Sequence, residues 1–193
     1  MFKLILRPFV NLWEIFFSWK ENIKIVENSP YGLIRIAFHP YQGEPIPLTD
    51  EDEIKSGDYI AELHIANLTL AKGKVGDVEV KSDLQLLPLF RDEMRNLARL
   101  AEEQKLDPRV KAIWGVTMMG PGLRRLGFKL RPIKRSRSRT SLKIWMNFLK
   151  WLYSPPGTQK RRKPKASREP QEYWMSIDYL IEKYGSKTSD SQK

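Results

Sequence analysis

No cysteine occurs in the 193 residues, which excludes disulfides, thiolate metal sites and thiol nucleophiles. Histidine is almost as scarce. His39 and His64 are the only two, 25 residues apart and without HxH or HExxH spacing, so no metal site is expected. The 11 glycines form no Walker, GxSxG or dinucleotide-binding pattern, and no cofactor is expected either. Acidic residues are missing over one long stretch. None lies between Asp107 and Glu169, whereas 18 Lys and Arg fall from Arg109 to Arg168. The remaining 16 of the 34 basic residues stand against 23 acidic ones, so the chain is acidic outside a single basic segment. Such asymmetry points to an anionic partner, a membrane surface or nucleic acid; the alternative is a solvated basic arm.

Long hydrophobic runs are also absent. The opening "MFKLILRPFVNLWEIFFSWKEN" is broken by Arg7, Pro8 and Glu14, short of the roughly 20 apolar residues that span a bilayer. It has no small-residue cleavage site, so no cleaved signal peptide is expected. Lys3, Arg7, Asn11, Glu14, Ser18 and Glu21 recur every three or four residues. That spacing predicts a helix from about Pro8 to Glu21 with a thin polar stripe. Phe9, Leu12, Trp13, Phe16, Phe17 and Trp19 then form a wide apolar face, expected to pack on the domain or on a second helix of the same kind. The pattern returns in "SLKIWMNFLKWLYSPPG", where Lys143, Asn147, Lys150 and Ser154 make the stripe and Pro155–Pro156 end the helix.

Basic clusters flank this second helix: Lys134, Arg135, Arg137 and Arg139 before it, and Lys160, Arg161, Arg162, Lys163 and Lys165 after it. Together with Lys143 and Lys150 they form the expected anionic-surface site, with Trp145, Phe148 and Trp151 at the membrane interface. Packing of the same apolar face on the domain or on the first helix explains the pattern equally well.

Between the helices the chain reads as mixed α and β. "GLIRIAFHPYQG" and "GDYIAELHIANLTL" alternate as half-buried strands. The second puts Ile60, Glu62, His64 and Ala66 on one face and Tyr59, Ala61, Leu63 and Ile65 on the other. Glu62 and His64 are therefore the candidate catalytic pair, a base oriented by a carboxylate; the alternative is a satisfied strand histidine. "PIPLTDEDEIKSGD" reads as a polar, solvated connection. In "SDLQLLPLFRDEMRNLARLAEEQKLDP" Phe90, Met94, Leu97 and Ala101 share a helical face, with Pro88 starting or kinking the helix. "VKAIWGVTMM" reads as a buried strand, "GPG" as a turn, and "LRRLGFKLRP" as a short helix feeding another strand. Ser176 is placed to cap a last helix carrying Ile177, Leu180, Ile181 and Tyr184, which Trp174 would help dock.

The order strand, helix, strand, "LRRLGF", strand resembles that of GNAT-type acetyltransferases, in which a carboxylate on a central strand often acts as base. Glu62 would take that part. The glycine-rich turn that holds a pyrophosphate there is lacking: "VEVKSDLQLLP" enters the helix with an aspartate and no glycine. A closer likeness rests on "GDYIAELHIAN", "LARLAEEQKLDPRVKAIWGVTMMGPGLRRLGF" and "WMSIDYLIEKYG", from about residue 10 to 185. On these segments the chain resembles the YkoP-like proteins of Gram-positive bacteria. Similar domains stand behind polysaccharide deacetylase domains in some proteins, and the resemblance implies a role in cell-envelope metabolism. The deacetylase's own metal-binding Asp and His motifs have no counterpart here.

The expected fold is α+β, a small mixed sheet packed by helices and distantly GNAT-like in element order, with an amphipathic N-terminal helix and a basic, Trp-rich one. The expected organisation is an N-terminal helix (1–28), an α+β core (29–133), a basic segment (134–170), a C-terminal docking helix (171–185) and a disordered tail (186–193). The expected function is a cytoplasmic, membrane-peripheral accessory or binding protein of bacterial envelope carbohydrate or lipid metabolism. A group-transfer enzyme using Glu62 and His64, and a nucleic-acid binder using residues 109–168, are the alternatives. A protein partner is left open.

Overall fold

In the computed structural model the described residues are 2–49, 52–65, 74–75, 78–79, 83–117, 121–133, 137–153 and 169–186. The helices among them are α1 (Phe2–Lys20), α2 (Asp83–Glu102), α3 (Pro121–Arg125), α4 (Arg137–Tyr153) and α5 (Ile177–Tyr184). The strands are β1 (Lys24–Ile25), β2 (Ile34–Pro40), β3 (Ile46–Pro47), β4 (Glu53–Ile54), β5 (Tyr59–Ile65), β6 (Lys74–Val75), β7 (Val78–Glu79), β8 (Val110–Thr117), β9 (Lys129–Pro132) and β10 (Gln171–Ser176).

Six strands form one sheet in the order β1-β2-β5-β8-β10-β9. Every pairing is antiparallel except β5–β8. A parallel pair needs a crossover long enough to return the chain to the same end of the sheet, and α2 lies on that connection. The expected α+β class, a mixed sheet packed by helices, is what the structure shows.

Alternation divides the strands between two cores. On one face Ile34, Ile36, Ala61, Leu63, Ile113, Tyr173 and Met175 pack with α2 through Leu86, Leu89, Phe90, Met94 and Leu97, and with α5 through Leu180. Phe90, Met94 and Leu97 are completely buried, as their shared face predicts. One close approach locks this core. The Tyr173 hydroxyl, on β10, reaches past Gly115 on β8 and donates to the Leu63 carbonyl on β5 at 3.0 Å. A Cβ at position 115 would collide with the Tyr173 ring and sit 2.8 Å from that carbonyl, so only glycine leaves the passage open. The β5–β8 register runs to Glu62↔Trp114, and the Tyr173 hydroxyl satisfies the carbonyl next along β5.

On the other face Ile60, Ala112 and Trp174 pack under Ile46, Leu48 and Ile54 of the small β3–β4 hairpin. This corrects the reading of "PIPLTDEDEIKSGD" as a solvated connection. Its acids hide three apolar residues whose spacing fits two-residue strands, too short to show a period. Trp174 faces this hairpin, whereas its neighbours Tyr173 and Met175 face α5, so Trp174 does not dock the last helix. Residues 171–176 precede that helix as a strand inserted between β8 and β9. Ser176 does cap α5, accepting from the Tyr179 N–H at 3.2 Å.

Three boundaries also move. α1 starts at Phe2, not Pro8, which stands inside the helix. Pro88 likewise lies inside α2. Pro121 and Gly122 of "GPG" belong to the first turn of α3. The end of "GDYIAELHIANLTL" beyond Ile65, Ser82 and Met118–Met119 lie outside the described residues.

Candidate functional site

The second sheet face is apolar only where the hairpin covers it. Toward the β2–β5 end it turns polar, because register brings Arg35 opposite His64 and Ala37 opposite Glu62. Residues directly opposite have Cβ atoms about 4.5–5.5 Å apart and diagonal neighbours stay within reach of long side chains. The Ala37 methyl leaves room for the Glu62 carboxylate, and His39 reaches it diagonally from β2. Glu62 thus lies between two imidazoles. His39 Nε2 is 3.1 Å from its Oε2 and His64 Nε2 is 3.4 Å from its Oε1. The side chains of His39, Glu62 and His64 are 39%, 25% and 29% exposed, so water reaches all three.

The two histidines differ in surroundings. His39 presents Nδ1 to the Pro40 carbonyl at 3.2 Å and Nε2 to the carboxylate. Both partners are acceptors, so both contacts are hydrogen bonds only when each nitrogen carries a proton. Burial holds the His64 pKa below the ordinary histidine value. Glu62 and Glu21 oppose that shift, while His39 and Arg35 reinforce it. A neutral His64 beside a carboxylate is chemically able to act as a base. The His39 ring stands edge-on to Trp114, which packs on Trp174. The buried Trp114 Nε1 has no hydrogen-bond partner among the described residues.

Sequence spacing identified Glu62 and His64 as neighbours but set His39 aside. The missing signal is the β2–β5 register, which a span of 25 residues does not reveal. Among the described residues, no three His, Asp or Glu side chains are placed to hold a metal ion. Glu62 itself fills the space between the two rings.

A second polar residue escaped the sequence reading. Glu93 is completely buried within the apolar stripe of α2. It accepts from Ser29 Oγ at 2.7 and 2.8 Å and from the Leu33 N–H at 3.1 Å, which fixes the loop entering β2. Burial raises its pKa, against the pull of those hydrogen bonds. The available signal was an acid standing four residues after Leu89 and four before Leu97, on the face that should be apolar. Its bonds all serve the loop, so its role is architectural.

The expected interface residues that are described lie on α4, which is joined to α1. Arg7 donates from Nε and Nη2 to the Leu152 carbonyl at 3.3 and 3.2 Å, joining the helices where Leu152 is buried. Arg35 donates to Ser18 Oγ at 3.2 Å, tying the end of α1 to β2. α1 meets α4, as expected of two helices packing on each other, but most of its wide face packs on neither α4 nor the domain: Phe9 is 69% exposed, Trp13 53% and Trp19 78%, with Leu12 and Phe16 exposed beside them. Trp145, Phe148 and Trp151 stack in sequence along α4, centroids 5.6 and 6.0 Å apart, with Ile144 and Trp145 exposed. Lys143 pairs with Glu169. Arg137, Arg139 and Lys150 belong to α4. Lys134, Arg135, Lys160, Arg161, Arg162, Lys163 and Lys165 lie outside the described residues. Among the described residues no helix is long and apolar enough to cross a membrane.

Comparison with known proteins gives one coherent answer. The family described as YkoP domain matches residues 3–184. A curated Bacillus subtilis (strain 168) protein described as "Uncharacterized protein YkoP" is 25% identical over 131 residues, covering 62% of this chain and 68% of the relative. No solved structure matches, and the likeness to acetyltransferases gains no support beyond element order.

Proposed function

The chain belongs to the YkoP domain family, and from that premise we propose a membrane-peripheral accessory or binding protein of bacterial envelope carbohydrate or lipid metabolism. The observation that carries this reading is the aromatic surface of α1, where Phe9, Trp13, Phe16 and Trp19 face solvent together. A contiguous exposed apolar surface of this kind marks an interaction site. Basic residues select a bilayer as the partner. The sequences of α1 and α4 contain seven Lys and Arg and one acid. Tryptophan suits headgroup depth, and each basic residue near an anionic leaflet contributes about 1 kcal/mol. That charge suits an anionic leaflet, and the reading includes a cytoplasmic location. Co-sedimentation with vesicles tests the reading. Binding to vesicles containing anionic lipid should exceed binding to neutral ones and weaken with salt. Equal binding to both, or binding to neither, overturns it.

The convergence of His39 on Glu62 and His64 favours a second reading, proton transfer by His64 in a group-transfer reaction. Histidine side-chain NMR spectra recorded with acyl-thioester and nucleotide-sugar donors test it. Selective movement of the His64 and His39 signals supports the reading, and unchanged signals with every donor dismiss it.

A further inference from the structure

Between α1 and α4 lies a groove of about 470 Å³ lined by Phe9, Val10, Trp13 and Trp145. We propose that this groove binds one acyl chain of a lipid with an anionic headgroup. Membrane docking then includes capture of a single chain, besides burial of the helix surfaces. The inference rests on the membrane reading for the source of that chain.

Three observations select this occupant. The first is polarity. The lining side chains carry no charge, hydroxyl or carbonyl, and their only polar atoms are two indole N–H groups. A peptide or a sugar laid there would find no hydrogen-bond acceptor on the lining side chains for its N–H or O–H groups. A hydrocarbon chain has nothing to satisfy. The second is access, since the groove is largely open to the surface and a chain can enter it sideways from a bilayer. The third is charge. The sequences of the two helices that form the walls hold seven Lys and Arg against one acid, a charge that suits an acidic headgroup. The Arg7 bonds to the Leu152 carbonyl join the walls, so the groove exists before a ligand arrives.

Dodecyl phosphate below its micelle concentration is a single-chain probe, and tryptophan emission of the full chain reports its binding. We expect a saturable, one-to-one blue shift. Trp145→Ala removes one wall at a partly exposed position, and Val10→Phe fills the groove from a buried one. Each should weaken dodecyl phosphate binding at least tenfold, with helix content unchanged by circular dichroism, while vesicle partitioning of Val10→Phe, at a buried position outside the exposed aromatic surface, falls less than threefold. A native chain that partitions onto anionic vesicles yet ignores dodecyl phosphate overturns the groove assignment and leaves the membrane reading intact. Binding of dodecyl phosphate without vesicle partitioning does the reverse. Native-like affinity in both variants, or a dimer in sedimentation whose α1–α4 surfaces cover each other, also overturns the assignment.

Discussion

At the scale of residues, two buried or half-buried acid–base groups carry opposite pH signatures. Glu93 has a raised folded-state pKa because burial penalises its charge. The folded protein therefore holds that proton more tightly than the unfolded chain, and stability is lost as pH rises through the raised value. Denaturant midpoints measured from pH 4 upward should show this decline in the native protein and not in Glu93→Gln. Glu93→Ala should cost about 1–3 kcal/mol for each of the Leu33 N–H and Ser29 hydroxyl left without an acceptor. His64 has a lowered folded-state pKa, so its contribution is present above the ordinary histidine value and lost as pH falls through the folded one. Its NMR titration midpoint should lie below that of a histidine in a model peptide, and Glu62→Gln should lower it further by removing a stabilising charge. A rise in Glu62→Gln would contradict the assigned balance of burial and charge. Tyr173→Phe leaves the buried Leu63 carbonyl unpaired and should cost about 1–3 kcal/mol in urea unfolding.

Elements differ in how plainly the sequence announces them, and the reason is range. α2 is legible because its signal repeats locally. Phe90, Met94 and Leu97 recur at helical spacing and all are fully buried, and Phe90→Ala should cost about 3–5 kcal/mol by thermal or chemical denaturation. β5 and β8 are legible for the same reason, through alternation or a sustained apolar run. The β3–β4 hairpin is not, since a two-residue strand has no period and its burial comes from Ile60 and Trp174, distant in sequence. β10 is hidden by its place between β8 and β9, a neighbourhood created only when the whole sheet assembles. The site follows the same rule. Glu62 and His64 are two residues apart on one strand, so their shared face can be read directly. His39 joins them through the β2–β5 register alone. For α1 the helical period was visible, but period cannot say whether an apolar face meets a domain or remains open to another partner.

Considered whole, the protein separates two kinds of surface. The sheet and its helices bury two cores and display a small half-buried histidine–carboxylate cluster. The α1–α4 pair instead exposes aromatic rings within a chain that carries a net charge of +11. Charge alone would suit any polyanion, whereas exposed rings on an apolar helix suit a surface with hydrocarbon beneath its charge. The membrane reading therefore depends on both contributions acting together, which one measurement can separate. Partitioning of the full chain onto vesicles with anionic lipid should be compared with that of Trp13→Ser/Phe16→Ser, at low and high salt. Partitioning should fall at least tenfold in the double variant at low salt, and salt should weaken the native chain on anionic vesicles. Native-like partitioning in the double variant, or native partitioning indifferent to both lipid charge and salt, would contradict membrane docking through α1 and α4.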